Sequence, residues 1–401
     1  MKVGDFCKTG AGGTPLKSNR KFYEGGNIPW LLSGEVGNRD IIETKKFITQ
    51  EGLEGSSAKM FPINTVLIAM YGATAGEVGI LRCEASTNQA VCGIYPNDKV
   101  LPEYLYYFFL NHKDLLVAQA VGNAQPNISQ QKIRNTEITL PSIPEQKRIV
   151  SILDTVFADL EQTRAKTEQN LKNALELFES ACSMSIFSTD AIPSCTVLDV
   201  AKNEKGAMRT GPFGSQLLKK EIVDSGIAVL GIDNAVNNHF QWGAKRFITS
   251  EKFEELSRFE VNPGDVLITI MGTCGRCAIV PENIPKAINT KHICCITLDK
   301  SKCLPEYLHA YFLYHPLAKE YLLSRAKGSI MAGLNMGIIK ELPLVLPSIE
   351  EQKTLVSQIT FLRENLDKLE ITYKSKLNAI DELKKSILQK AFSGELTNTV
   401  E

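Results

Sequence analysis

Cys274-Gly275-Arg276-Cys277 is a C-x-x-C motif, and His292, Cys294, Cys295 and Cys303 follow it closely. Thiolates and imidazoles at such spacings are the donor set of a tetrahedral zinc site. The chain supplies its own control for this reading, because much of it is written twice. At the matching place in the first copy stands Ala73-Thr74-Ala75-Gly76, without a thiol. A fold shared by both copies does not need metal there, so the thiols read as buried core groups. Two glycine-rich pieces, Gly10-Ala11-Gly12-Gly13 and Gly72-Ala73-Thr74-Ala75-Gly76, lack the Lys-Ser/Thr of a phosphate-cradling loop and a following helix. No G-x-G-x-x-G opens a strand–helix unit, no Asn/Asp-Pro-Pro-aromatic run of an amino-methyltransferase appears, and no nucleophile elbow frames a serine. An enzyme is disfavoured.

What remains is recognition chemistry. Thr14-Pro15-Leu16-Lys17-Ser18-Asn19-Arg20-Lys21 and Arg209-Thr210-Gly211-Pro212-Phe213-Gly214-Ser215-Gln216 occupy corresponding places. So do Gly122-Asn123-Ala124-Gln125-Pro126-Asn127 and Lys327-Gly328-Ser329-Ile330-Met331-Ala332-Gly333. Arg and Lys hold phosphates or guanine, Asn and Gln pair with adenine, and Gly lets a backbone come close. Any one of these loops also reads as an ordinary solvated turn. Their recurrence at matched positions with different residues favours two readers of two different half-sites. The candidate DNA-binding residues are Lys17, Asn19, Arg20, Lys21, Asn123, Gln125 and Asn127 in the first half. In the second they are Arg209, Ser215, Gln216, Lys219, Lys291, Lys327 and Ser329.

The elements that must carry these loops follow from the repeat. Lys45-Lys46-Phe47-Ile48-Thr49 returns as Lys245-Arg246-Phe247-Ile248-Thr249, and Tyr71-Gly72 faces Met271-Gly272. Leu101-Pro102-Glu103-Tyr104-Leu105 returns as Leu304-Pro305-Glu306-Tyr307-Leu308. Leu140-Pro141-Ser142-Ile143-Pro144-Glu145-Gln146-Lys147 returns as Leu346-Pro347-Ser348-Ile349-Glu350-Glu351-Gln352-Lys353. Each copy is large enough to bury its own core, so the chain is a built-in pseudo-dimer. Within each copy, short β-branched runs broken by Gly, Pro and Asn come first, then an aromatic helix, then one long helix. Both long helices open on an S-x-x-E capping box, Ser142 to Glu145 and Ser348 to Glu351. Leu355, Leu362, Leu369 and Leu383, interleaved with Ile359, Leu366, Tyr373, Ile380 and Ile387, predict a heptad seam on the second helix. The first shows Ile149, Leu153, Val156, Leu160, Thr167, Leu171, Ala174 and Phe178, with polar breaks at Thr163 and Asn170. Pro193 and Gly394 mark the far ends, and two such helices are expected to pack on each other.

The chain has 401 residues, 43% of them hydrophobic and 22% charged, which excludes wholesale disorder and points to more than one module. Lys and Arg number 45, as do Asp and Glu, so there is no polycationic tail. Residues 1–141 hold 14 basic and 13 acidic groups, 192–347 hold 18 and 15, and the two helical stretches together 13 and 17. The globular parts tilt basic and the helices acidic, a weak lean toward a polyanionic partner. No apolar run reaches the roughly eighteen residues of a membrane span, and the first residues carry no signal core. The chain reads as cytoplasmic, with its ten cysteines reduced.

These marks together resemble the specificity subunit of type I restriction-modification enzymes, over the whole chain. They are Gly12-Gly13-Thr14-Pro15 with Gly25-Gly26-Asn27-Ile28-Pro29-Trp30, and Gly211-Pro212-Phe213-Gly214-Ser215-Gln216-Leu217. The paired Leu-Pro to Glu-Gln-Lys helix starts and the closing Gln389-Lys390-Ala391-Phe392-Ser393-Gly394-Glu395-Leu396 complete them. The start at Lys2-Val3-Gly4-Asp5 lacks the lead-in found before Thr196-Val197-Leu198-Asp199, as a start codon lying further upstream would leave it.

The resemblance implies an α+β fold of two similar mixed α/β domains separated by two long antiparallel helices forming a coiled-coil spacer. The expected segments are a first target recognition domain at 1–141, a first helix at 142–191, a second domain at 192–347 and a second helix at 348–401. It implies a non-catalytic reader of a bipartite, asymmetric site on double-stranded DNA, the helices setting the unread gap. Two methyltransferase subunits would dock on it and two restriction–translocase subunits join them. No cofactor is expected on this chain, S-adenosylmethionine, ATP and Mg belonging to those partners. The competing readings are a coiled-coil interaction scaffold with two ligand modules and no DNA, and a self-sufficient methyltransferase or nuclease.

Overall fold

In the computed structural model, residues 1–119, 127–187, 192–325 and 333–397 are described. The chain divides into two compact units, Met1–Glu168 with Lys374–Glu401, and Gln169–Tyr373. Each therefore holds one sheet-rich domain and a part of each long helix.

Among its described residues the first unit contains nine strands: β1 (Thr9–Ala11), β2 (Ile28–Leu31), β3 (Asp40–Ile41), β4 (Phe47–Ile48), β5 (Met60–Phe61), β6 (Val66–Ala69), β7 (Val78–Leu81), β8 (Ala85–Thr87) and β9 (Val91–Ile94). They form two sheets, ordered β1-β9-β6-β7-β3 and β4-β2-β8-β5. Every residue of β6 is buried because both faces of its sheet are covered. Val66 and Ile68 face the aromatic helix Pro102–Asn111, through Tyr104 and Phe108, while Leu67 and Ala69 face Leu31, Val36 and Phe61.

The second unit repeats this plan with β10 (Cys195–Thr196), β11 (Met208–Thr210), β12 (Ile227–Leu230), β13 (Phe247–Ile248), β14 (Val266–Thr269), β15 (Cys277–Ile279), β16 (Ala287–Asn289), β17 (Ile293–Ile296) and β18 (Pro343–Leu344). The order β11-β17-β14-β15 matches β1-β9-β6-β7, and β13-β12-β16 matches β4-β2-β8. Register is kept as well: Val66 pairs with Ile94, and Val266 with Ile296. Val266 and Ile268 face Tyr307 and Tyr311, and Leu267 faces Ala228 and Leu230. The sequence repeat is a structural repeat.

The two clearest repeated motifs are the joint between domain and helix. Gln146 is fully buried; its Oε1 accepts the Leu101 amide at 2.9 Å, and its Nε2 donates to the Lys99 and Pro141 carbonyls at 3.0 and 2.9 Å. Gln352 does the same for Leu304, Lys302 and Pro347, at 2.9, 2.8 and 2.9 Å. Tyr104 and Tyr307 add a hydroxyl bond to the Thr139 and Val345 carbonyls. Each network ties the start of the aromatic helix to the start of a long helix.

The central helix runs Ile143–Ser180, continues as a π-helical turn over Ala181–Ile186, and the distal helix runs Ile349–Ser393. The second capping box forms, with the Ser348 amide and hydroxyl both donating to Glu351. In the first, Glu145 instead pairs with Arg148 at 3.9 Å. Gly394 takes φ +86 and the Leu396 amide reaches back to the Lys390 carbonyl at 3.0 Å, a left-handed helix stop.

The strict heptad seam is corrected. Leu369 and Leu383 are 42% and 47% exposed, whereas Ile359, Leu366, Ile380 and Leu388 are buried. The seam follows an eleven-residue step, Leu355, Leu366, Leu377 and Leu388, with Ile149, Leu160, Leu171 and Cys182 on the central helix. Eleven residues make three turns at about 3.67 per turn, near the 3.6 of a straight helix, whereas a heptad requires under-winding to 3.5.

Helix halves pack within each unit. In the first, Ile149 and Leu153 share a core with Leu388 and Ala391, and Arg164–Asp381 and Lys384–Glu161 pair across them. In the second, Phe178 and Cys182 share a core with Ile359 and Leu366. Early central helix thus meets late distal helix, and late meets early, so the two run antiparallel. The helix ends close on the aromatic helices: Phe392 lies 5.2 Å from the Tyr104 ring, and Phe187 6.3 Å from Tyr307 and 6.1 Å from Tyr311.

Candidate nucleic-acid interface

In the first unit the predicted loop leaves the sheet where Gly12 and Gly13 cross β8. A Cβ on Gly12 would overlap Thr87, and one on Gly13 would overlap the Ser57–Ala58 backbone. Beyond this crossing the strand is held by aromatics: the Trp30 indole donates to the Gly13 carbonyl at 3.1 Å and the Tyr23 hydroxyl to Pro15 at 2.5 Å. The two rings stack edge to face at 5.9 Å. Gly-Gly-Thr-Pro and the downstream Pro-Trp are therefore one clamp, and Leu16 to Lys21 form the loop it presents. Lys17, Arg20 and Lys21 are exposed; Arg20 pairs with Glu24 at 3.9 Å. Asn19 is half-buried, and its side-chain oxygen accepts the Lys21 amide at 3.2 Å, capping a short turn.

Three further strand-end segments join this loop. Thr14 donates to Gln89, the Met70 amide bonds the Ala90 carbonyl at 2.7 Å, and the Ile128 amide bonds Met70 at 2.8 Å. Tyr71 bridges to Asn127, which is exposed. Thr14, Gln89, the β6–β7 hairpin tip and Asn127 consequently share one edge of the domain, and the loop runs from there to Lys21, whose carbonyl accepts the Thr49 hydroxyl at 2.8 Å. Asn123 and Gln125 lie outside the described residues.

The second unit builds the same edge. Gly211 has no room for a Cβ against Asn289, and its amide bonds the Thr290 carbonyl at 3.3 Å. Ser215 and Gln216 are exposed on the turn that follows, with Gln216 Oε1 accepting the Phe213 amide at 2.9 Å. Lys291 is half-buried beside His292, whose carbonyl accepts the Ile270 amide at 2.9 Å at the root of the β14–β15 hairpin. Burial, then the Lys291 and Arg246 charges, hold the His292 pKa below the usual histidine value. Lys219 is exposed but opens a separate turn, pinned by Glu221 to Lys252 at 3.0 Å. Lys327 and Ser329 lie outside the described residues.

Arg209 is corrected. It is buried, and its guanidinium donates to Asp265 at 2.5 Å, to the Glu260 carbonyl, to the Gly206 carbonyl and to Thr297. Asp265 in turn accepts from Thr297 at 2.6 Å, so the pair is a satisfied structural network inside the second domain. Its donors are spent on protein and none is left for a guanine edge.

The cysteine motif builds no metal centre among the described residues. Cys274, Cys277, Cys294, Cys295 and Cys303 are all buried free thiols, and burial pushes Cys294 up to about 12.

Residues that sequence reading passed over are Tyr71 and Gln89 in the first domain, and Met271, Arg276 and His292 in the second as parts of this edge. Tyr71 and Met271 sit at the same place in the repeat with different side chains, and that mismatch was their signal.

The geometry is a doubled scaffold with two divergent loop edges, the arrangement of a sequence reader. The model of the type I restriction modification DNA specificity domain matches residues 1–172 and 214–379. The chain belongs to this family and carries two copies of its domain. It is 27% identical to the EcoBI specificity subunit of Escherichia coli over 334 residues, covering 78% of this chain and 70% of that one. It is 24% identical to the EcoKI specificity subunit of Escherichia coli strain K12 over 398 residues, covering 92% and 82%. Among solved structures, a chain from a study of complex assembly and conformational transition in the type I R-M system superposes with a TM-score of 0.78 at 17% identity, covering 99% and 97%. The HsdS subunit from Thermoanaerobacter tengcongensis gives 0.55 at 17% identity, covering 99% and 96%. The family is one of DNA specificity, not of catalysis.

Proposed function

We propose that each domain reads one half of a bipartite, asymmetric site on double-stranded DNA through its edge and neighbouring loops. Lys17, Asn19, Arg20, Lys21, Asn123, Gln125 and Asn127 serve the first half-site. Ser215, Gln216, Lys219, Lys291, Lys327 and Ser329 serve the second. The long helices set the unread gap and offer docking faces to two methyltransferase subunits, with two restriction–translocase subunits completing the assembly. S-adenosylmethionine, ATP and Mg act on those partners, and the chain works in the cytoplasm. No helix among the described residues is long and apolar enough to cross a membrane.

One observation carries this reading: two sheets of matching strand order and register present loops whose scaffold residues match and whose exposed residues differ. Half-sites about one helical turn apart need readers roughly 34 Å apart, and helices of this length span such a distance at 1.5 Å per residue.

The test is the salt dependence of binding to the selected duplex. Phosphate contacts make log affinity fall steeply and linearly with log salt, by about 0.9 per contact. A flat dependence would favour an interaction scaffold.

A further inference from the structure

The β6–β7 and β14–β15 hairpins end in tips that present a large apolar side chain at the same position. Met70 and Ile270 are buried, and the next residues, Tyr71 and Met271, emerge to 37% and 40% exposure. Each is followed by a left-handed glycine, Gly72 at φ +79 and Gly272 at φ +71, and each tip closes on a second, Gly76 at +84 and Gly275 at +76. The tips are braced by backbone bonds. Gly76 donates to Ala69 at 2.8 Å and Ala69 to Glu77 at 2.9 Å; Gly275 donates to Thr269 at 2.8 Å and Thr269 to Arg276 at 2.9 Å. Around Gly72 no other atom would lie within 4 Å of an added Cβ, so this tip borders open space.

A braced tip loses little entropy when it meets a ligand, and an exposed apolar group on it gains by burial. The tip adjoins Gln89 and Asn127 in the first domain and Lys291 in the second, the polar groups of the proposed DNA edge. Among base edges in the major groove, the only apolar feature is the 5-methyl group of thymine. Resting on the DNA-reading function above, we infer that Tyr71 and Met271 are specificity-determining residues that each pack against one thymine methyl, one in each half-site.

The test uses the full chain assembled with its methyltransferase partners and duplexes of its selected gapped site, each thymine replaced in turn by uracil. Removing one methyl contact weakens binding about fourfold. The expected result is one such thymine in each half-site for the unaltered chain. Tyr71→Ala abolishes the uracil effect in the first half-site alone and Met271→Ala in the second alone, while Tyr71→Phe and Met271→Leu retain it. Because both side chains are exposed, thermal unfolding should not move. The inference is overturned if no thymine responds, if the response survives the alanine variants, or if those variants weaken all sequences equally. An assembly preferring a gapped site but indifferent to uracil contradicts this inference alone; one with no sequence preference contradicts the DNA reading beneath it.

Discussion

Gln146 and Gln352 stand 206 positions apart and make the same three hydrogen bonds, with no exposed surface. Replacing either by Leu keeps the volume and leaves one amide and two carbonyls unpaired, each worth about 1–3 kcal/mol when buried. Chemical denaturation should show each substitution costing about 3 kcal/mol or more, and unchanged stability would refute the joint. Arg209→Met strands the Asp265 carboxylate and should cost about 3–5 kcal/mol. In binding selections its loss should fall on all sequences alike. Arg20→Ala, by contrast, should leave stability intact, cost about 1–3 kcal/mol in binding and relax one base position. Buried His315 accepts the Leu317 amide on Nδ1 and stacks on Tyr311 at 4.2 Å. Burial lowers its pKa from 6.5 to about 4. The unfolded chain therefore takes up the proton first as pH falls. His315 contributes stability that is complete above pH 6.5 and is lost as pH drops toward about 4, on the order of 3 kcal/mol. Denaturation midpoints across that window should fall, and less steeply in His315→Asn.

At the scale of elements, the helix seam makes the sharpest prediction. Leu366→Asp places a charge in the buried face and should cost about 3 kcal/mol or more, while Leu369→Asp on the exposed face should stay within about 0.5 kcal/mol. Equal effects would restore the heptad. This is also where sequence reading reached its limit. The repeat, the aromatic helices, the Gly394 stop and the second capping box were legible because each depends on residues close in sequence or on direct comparison of the halves. The seam was not, because leucines at 355, 362, 369 and 383 satisfy a seven-residue count while burial is decided by the facing helix. Arg209 misled for the same reason: its partner Asp265 is 56 positions away and converges only through β11, β17 and β14. The loops themselves were legible as loops. The convergence of Thr14, Gln89, Asn127 and the hairpin tip on one edge depends on strand order, which spacing does not reveal.

For the whole molecule, the two domain copies share a scaffold and differ in their exposed loops, so one polypeptide presents the same framework twice with different surfaces. If the helices are a ruler, inserting eleven residues at matched levels of both adds three turns and about 16 Å, preserving the packed faces. The unread gap should lengthen by several base pairs, and both half-sites should keep their sequences; a changed half-site would contradict the ruler. The most direct test of the central claim is the pattern of modified bases in host DNA with this gene intact and deleted, its partner methyltransferase being expressed in both. The account predicts that deletion removes methylation from one gapped, asymmetric motif. Loss from a contiguous motif, or no change with the partner active, would contradict it.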